Sequence, residues 1–250
     1  MPIQRLIPIL LLDDNGQLVK TRKFRKRQYI GDPLVALRLF NDLGADEIIV
    51  LSIGDGVSKT SSPPWALLED LAGEALMPLA YGGGLGGEMD ALRAISIGFE
   101  KVIYSSSRLK DADDIRSAVN ALGSQSVSLC INYEETMFSG RIVRCHKTGA
   151  KLGNIGGLTE VAANFGVGEI MLQNITREGE RNGLDLEAVM DVSARFKGPV
   201  ILSGGMRDLT ELQGSLKLNI SGFAGGSFFI FAGSRRGVLI SYPSDSERNI

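Results

Sequence analysis

The sequence predicts an α/β chain folded as a closed (β/α)8 barrel, and three observations predict it. Eight short apolar runs alternate with helix-length amphipathic stretches from end to end. Most of these runs are apolar at consecutive positions, as strands buried on both faces are, and the connections between them are long enough for crossover helices. The chain has 250 residues, a length that suits such a barrel. A doubly wound open sheet competes on strand count alone, but an internal repeat favours the barrel. Gly44-Ala45-Asp46-Glu47-Ile48-Ile49 returns 122 residues later as Gly166-Val167-Gly168-Glu169-Ile170-Met171. Pro78-Leu79-Ala80-Tyr81-Gly82-Gly83 returns 121 residues later as Pro199-Val200-Ile201-Leu202-Ser203-Gly204. Two features recurring in the same order at nearly half the chain length point to two similar four-stranded halves closed on each other as one domain.

The first strand is expected over Arg5–Leu12. Asp32 ahead of Pro33 places a capping side chain before a proline at the first helical position, and Leu34, Leu37 and Phe40 recur at helical spacing. The second strand is Glu47–Ser52. The third, Leu79–Tyr81, runs into Gly82-Gly83-Gly84, and the fourth, Lys101–Tyr104, into Ser105-Ser106-Ser107. After the fifth, Val127–Ile131, the stretch Asn132–Gly153 carries Ser139-Gly140 between two short runs, the pattern of a small hairpin inserted above the barrel. The sixth is Glu169–Gln173. The seventh, Val200–Leu202, ends in Ser203-Gly204-Gly205, and the eighth, Gly222–Gly225, leads into Gly226-Ser227. Gly233-Ser234-Arg235-Arg236-Gly237, Val238–Ile240 and Tyr242-Pro243 are poor helix material, so a short last helix and an extended end are expected.

Composition narrows the function classes. With 27 Lys+Arg against 29 Asp+Glu the formal charge is −2, which argues against holding nucleic acid by bulk electrostatics. No apolar run reaches the roughly 20 residues that span a bilayer, so no membrane partner is expected. The first residues lack a signal-peptide pattern, which makes a cytoplasmic protein the expectation. Cys130, Cys145 and the one histidine, His146, are too few for a disulfide framework or a Cys/His zinc site, so neither metal nor cofactor is expected.

In such a barrel the functional face is the C-terminal end of the strands. Four strands end there in Gly/Ser turns, two in each half. Glycine lets backbone N–H groups approach an anion closely, so two phosphates at the ends of one elongated substrate are a natural ligand, although such glycines also make tight turns. Lys20, Arg22, Lys23, Arg25, Lys26 and Arg27 form a basic stretch that reads as a closing lid or as a solvated loop. Arg5, Glu47, Lys101 and Glu169 sit at the starts of the first, second, fourth and sixth strands. There, two acids and two bases can pair in the barrel floor, as a structural plug or as a gate. Catalytic acids are scarce: Asp55, Glu178, Asp185 and Asp208 lie near strand ends without a motif that assigns them a role, and His146 falls in the inserted hairpin.

These residues resemble the HisF family, the cyclase subunit of imidazole glycerol phosphate synthase. The likeness runs from Arg5 to about Phe229 and rests on Gly31-Asp32-Pro33, Gly44-x-Asp46-Glu47, Gly82-Gly83-Gly84, Gly123-Ser124-Gln125, Gly166-x-Gly168-Glu169-Ile170 and Ser203-Gly204-Gly205. The resemblance implies a barrel of two similar halves, with a glutaminase (HisH-like) docked at its floor and ammonia passing through it to a phosphate-bearing substrate. It places phosphate contacts at Gly84, Ser105 and Ser106 in one half and at Gly179, Gly204, Gly205, Gly226 and Ser227 in the other. It makes Arg5, Glu47, Lys101 and Glu169 the ammonia gate and matches Lys20 to the lysine of the family's mobile first loop.

The departures are as informative. The family's general acid and base are two aspartates at the ends of the first and fifth strands, where this chain has Leu11 (Leu12 if the extra residue falls within the strand) and Asn132. Neither side chain transfers protons, so no catalytic residue is assigned. Ser52 and Thr176 also stand where the family has aspartates. Ile7-Pro8-Ile9-Leu10-Leu11, Leu18-Val19-Lys20-Thr21, Pro78–Gly84 and Val238-Leu239-Ile240 are similar to the HisF-like proteins of surface-polysaccharide synthesis, associated with acetamidino modification of sugars. That branch implies a conduit for ammonia and a platform for a phosphosugar or nucleotide sugar, beside a separate ATP-using amidotransferase. The alternatives are a working cyclase of histidine biosynthesis, with Asp13, Asp14 or Asp55 standing in for the lost pair, and a non-catalytic scaffold for the glutaminase.

Overall fold

The computed structural model describes residues 4–54, 62–109, 112–145, 148–215, 218–233 and 235–248. Its centre is a ring of eight parallel strands: Arg5–Leu12, Ile48–Ser52, Leu79–Gly82, Lys101–Ser105, Val127–Thr136, Glu169–Asn174, Val200–Ser203 and Gly222–Gly225. The eighth pairs with the first, Arg5 opposite Gly222, and the fifth with the sixth, Leu129 opposite Ile170, so the sheet closes as a (β/α)8 barrel. Alternation along each strand divides the side chains into two apolar bodies. Ile7, Ile9, Leu11, Ile49, Ile103 and Met171 fill the lumen, while Leu6, Leu10 and Leu12 pack outward with the helices.

The helices follow local chemistry. Asp32 accepts from the backbone N–H groups of Leu34 and Val35, Pro33 opens the helix Pro33–Asp42, and Ala36, Leu37 and Phe40 face the sheet. Asn154 caps Ile155–Phe165 in the same manner. The sequence repeat is also a repeat of geometry. Gly44 (φ +69°) and Gly166 (φ +77°) are the left-handed residues that follow those two helices. At the strand ends, a Cβ on Gly83 would lie 2.1 Å from the Ser52 carbonyl oxygen, and one on Gly204 would lie 2.4 Å from that of Asn174. Each half therefore needs glycine at the same place for the same backbone contact.

Three regions differ from expectation. The basic stretch is anchored rather than free: Leu18–Lys20 runs antiparallel to the first strand, with Val19 opposite Leu11, and Gln28–Gly31 pairs with it in turn. The inserted hairpin forms by extension of the fifth strand to Thr136, pairs with Gly140–Arg144, and gains a third strand, Lys151–Gly153. After the four-residue helix Ser227–Ile230, the C-terminal segment makes a two-residue strand pairing, Phe231–Ala232 with Gly237–Val238, and closes on a helical turn at Asp245–Arg248 rather than extended.

That segment braces the floor. The Tyr242 hydroxyl donates to the Leu6 carbonyl at 2.8 Å and accepts from the Asp46 N–H at 2.9 Å. Its ring stacks on Phe229 and lies beneath the Arg248 guanidinium, which pairs with Asp46 at 2.9 Å. Tyr242→Phe removes a shared partner of two backbone groups, so about 1–3 kcal/mol of stability should be lost in urea unfolding, with ligand affinity unchanged.

Candidate functional site

At the floor, the four strand-start charges meet. Arg5 reaches both acids, Glu47 through one Nη and Glu169 through the other at 2.6 Å. Lys101 Nζ lies 3.1 Å from Glu169 and 3.6 Å from Glu47, and Ser128 Oγ donates to Glu169 at 3.3 Å. Both carboxylates are almost fully enclosed, Glu47 at 3 % exposure and Glu169 at 5 %. Burial pushes the Glu47 carboxyl above its usual range against the pull of Lys101 and Arg5. For Arg5 burial acts downward but is outweighed by Glu169 and Glu47, so its pKa rises. Above the ring, the interior is packed by Ile7, Ile9, Ile49, Ala80, Ile103 and Met171, an apolar layer in which an ionic species would be poorly solvated.

The mouth settles which leucine faces the chemistry: Leu11 points into the lumen and lines the cleft there, while Leu12 packs outward. Opposite, Asn132 is buried and tied to the first Gly/Ser turns, donating from Nδ2 to Ser105 Oγ at 3.2 Å and from its backbone N–H to Ser106 Oγ at 3.4 Å. Cys130 donates weakly to the carboxamide oxygens of Asn132 (3.4 Å) and Gln173 (3.7 Å), and burial pushes its thiol up to about 12. It is therefore a lining group, not a ready nucleophile. Gly84 (φ +73°) follows the third strand and Ser105 and Ser106 stand at the end of the fourth, the candidate first cradle, with Arg108 nearby paired to Asp114 at 2.6 Å.

The second cradle lies across the mouth, after the sixth, seventh and eighth strands. Gly179, Gly204, Gly205, Gly226 and Ser227 line a cleft of about 30 Å³ together with Gln173, Glu178 and Arg181. A Cβ on Gly205 would lie 2.4 Å from the Gly183 carbonyl oxygen, and one on Gly226 would lie 2.7 Å from Lys20 Nζ. Lys20 is thus not on a solvated loop: it is 2 % exposed, donates to the Ile9 carbonyl, and places its amine against the glycine backbone of the cradle. The next three residues, Thr21, Arg22 and Lys23, are docked on the loop after the sixth strand, whereas Arg27 at the far end of the stretch donates to the Ile53 carbonyl at 2.6 Å. Thr21 Oγ1 donates to Glu178 at 3.2 Å, the Lys23 N–H to the Glu178 carbonyl at 3.1 Å, and Arg22 pairs with Glu180 at 2.6 Å. Burial lowers Lys20 to about 7, partly offset by Glu178, and burial raises Glu178 in turn.

The profile of the histidine biosynthesis protein family matches residues 5–234. A Leptospira borgpetersenii protein provisionally named imidazole glycerol phosphate synthase subunit HisF is 39% identical over 98% of this chain and 96% of its own length. Proteins of Vibrio vulnificus and Pseudomonas aeruginosa with the corresponding provisional names hisF3 and hisF2 are each 36% identical, over 98% and 99% of this chain and 94% and 98% of their own lengths. The chain belongs to the HisF family.

In this HisF-family barrel several sequence candidates turn out to be structural. Asp185 is clamped by Arg141 at 2.6 Å and by Tyr133, and holds the inserted hairpin down. Burial acts to raise its carboxyl, but Arg141 outweighs it and holds the pKa below the usual range. Asp208 caps the helix Thr210–Ser215, Asp13 accepts from the N–H groups of Asn15 and Gln17, and Asp14 pairs with Arg27. None of these lines the cleft, whose described carboxylate is Glu178. Ser52 accepts from the Tyr81 hydroxyl and Thr176 from the Glu135 N–H. Asp55 and His146 lie outside the described residues. Sequence reasoning missed the juxtaposition of Lys20, Glu178 and Gly226, because the three are far apart in the chain; the one available signal was the short Leu18-Val19 apolar pair leading into Lys20 soon after the first strand.

Two outcomes follow. Glu169→Leu leaves Arg5 and Lys101 short of a buried partner and should cost about 3–5 kcal/mol in urea unfolding. For the cradle, sulfate carries constant charge across neutral pH. A lysine lowered to about 7 is already charged below that pH and must take up a proton with the anion above it. Sulfate affinity should therefore fall as pH rises above about 7, by up to about tenfold per unit, and in Lys20→Met calorimetry should find it weak throughout, with that loss above pH 7 much reduced.

Proposed function

We propose that this chain is the ammonia-receiving subunit of a glutamine-dependent synthase. A glutaminase docks at the barrel floor, Arg5, Glu47, Lys101 and Glu169 gate the entry of ammonia, and the apolar lumen carries the neutral molecule to a phosphate-bearing substrate held between the two Gly/Ser cradles. The observation that carries this reading is the contrast between the two ends. The floor keeps a complete ring of two acids and two bases under an apolar lumen, while the mouth presents Leu11 and Asn132 where a cyclase needs its proton-transferring pair.

The product chemistry that suits such a site is amidine formation on a nucleotide sugar. Ammonia attacks the carbon of an acetamido group whose oxygen an ATP-using amidotransferase has activated; the new C–N bond forms as that oxygen leaves with its activating group. A barrel that positions ammonia and ligand needs no acid–base pair of its own for ring closure. The names of the relatives favour a second reading, a cyclase of histidine biosynthesis, in which Lys20 and Glu178 would have to handle protons.

With ammonium salt supplied directly, the ribulosyl-aminoimidazole carboxamide precursor of histidine synthesis should give no appreciable turnover; sustained turnover establishes the cyclase instead. When the chain is paired with a glutaminase from the same genome, Lys101→Met should sharply reduce the fraction of hydrolysed glutamine nitrogen that reaches product while the melting temperature shows a folded barrel. Unchanged transfer would leave the chain a scaffold.

A further inference from the structure

The four described non-glycine residues with left-handed backbone are Lys23 (φ +52°), Phe24 (φ +57°), Arg181 (φ +55°) and Arg236 (φ +54°), a conformation disfavoured for L side chains. All four belong to the segments that frame the second cradle, and three of them carry basic side chains. Lys23 and Phe24 are the central pair of a turn closed by the Arg25 N–H on the Arg22 carbonyl, and Arg236 sits in a turn closed on the Gly233 carbonyl, so tight turns hold these basic residues at the rim.

The charge balance of the two cradles differs in the same place. Beside the first, Arg108 is neutralised by Asp114. Beside the second, Lys20 faces Glu178, and Arg22 and Lys23 share Glu180 at 2.6 and 3.9 Å. Two guanidiniums remain. Arg181 lines the cleft and donates to the carbonyls of Phe231 at 3.1 Å and Arg207 at 3.5 Å. Arg236 donates to Ser227 Oγ at 3.4 Å and lies over the Phe231 ring, 5.0 Å from its centroid. Both rest on neutral groups and form no ion pair among the described residues. Burial first, then the positive charge of Arg22 and Arg181, pulls the Arg236 pKa below its usual value against the opposing pull of Glu180 and Glu178.

A guanidinium offers five N–H donors in a planar fork suited to phosphoryl oxygens, and the bonds above occupy only part of that capacity. One tetrahedral anion over the glycine backbone of Gly204, Gly205 and Gly226, with Lys20 and Ser227 beside it, accounts for the cradle but not for two further cations held at its rim. We propose that the second cradle is a diphosphate site: one phosphoryl group sits on the glycine backbone and the adjoining one between Arg181 and Arg236, so that the ligand is a nucleoside-diphosphate sugar rather than a sugar monophosphate. The inference deepens the functional reading above and rests on its phosphate-bearing ligand, but not on ammonia transfer.

Calorimetric titration of the full chain with inorganic phosphate, pyrophosphate, UMP and UDP at fixed ionic strength tests it. The expected result is a preference of about tenfold or more for pyrophosphate over phosphate and for UDP over UMP. Arg181→Gln and Arg236→Gln should each erode that preference and together abolish it, weakening UDP more than UMP. Arg236→Lys, which keeps the charge and loses the fork, should restore part of it, and melting temperatures identify any variant that fails to fold. Equal affinities for UDP and UMP in the unaltered chain, or a preference that survives the double variant, overturn the diphosphate site. Discrimination confined to pyrophosphate overturns the nucleotide assignment. Absence of binding by all four probes sinks the phosphate-bearing ligand itself, and with it this inference, whereas failed nitrogen transfer with UDP selectivity intact would leave the inference standing.

Discussion

Two carboxylates buried at one end of an apolar lumen are held by two partly exposed cations, Arg5 and Lys101, and by a serine hydroxyl, and the register of the barrel depends on that pairing. Each charge stands at the beginning of a different strand, so the ring of contacts from Arg5 to Glu47, Lys101 and Glu169 forms only when the first, second, fourth and sixth strands are all in register. A one-residue slip would turn a charge into the apolar layer between strands and helices, an outcome costing more than any single packing defect. The two acids are equivalents in the internal repeat, whereas both cations come from the N-terminal half. The floor is thus symmetric in its acids and asymmetric in its bases, and Arg5, which reaches both acids at once, joins the two halves where the barrel closes.

The mouth shows the opposite combination. Its backbone keeps the repeat faithfully, since Gly83 and Gly204 make the same close approach to the preceding strand, but its side chains have diverged. One cradle is uncharged and polar, tied to Asn132 through Ser105 and Ser106. The other gathers Lys20, Arg181 and Arg236 against Glu178. A backbone contact that no side chain can replace is held in both halves by steric necessity, while the chemistry mounted on it is free to differ. At this end the Lys20 amine, lowered by burial to about 7, stands beside a Glu178 carboxyl that burial raises above its usual range.

Much of this was readable from residue order because the relevant features are local. Strand starts show as a charge heading an apolar run, which located Arg5, Lys101 and Glu169 at their edges and put Glu47 one residue ahead of its strand. Strand ends show as Gly/Ser clusters. Capping is a matter of neighbouring residues, so Asp32 and Pro33 could be read directly. What escaped was non-local: the hairpin that anchors Lys20, the Tyr242 brace across the floor, the third strand of the insertion, and the clamping of Asp185 by Arg141. Each depends on segments tens to hundreds of residues apart, and each draws on residue types that carry no positional signal of their own.

By itself the sequence determined the closed eightfold alternation, the two-half repeat, the charges of the floor and the glycines of the mouth, because hydrophobic period, chain direction and backbone sterics are written in neighbouring residues. Only the tertiary structure decided that Leu11 and not Leu12 faces the cleft, that a lysine from a basic loop is buried against Gly226, and that the guanidiniums of Arg181 and Arg236 rest on neutral groups beside the second cradle, with no ion pair among the described residues. Those facts belong to desolvation and charge balance, which exist only once distant segments share one low-dielectric space.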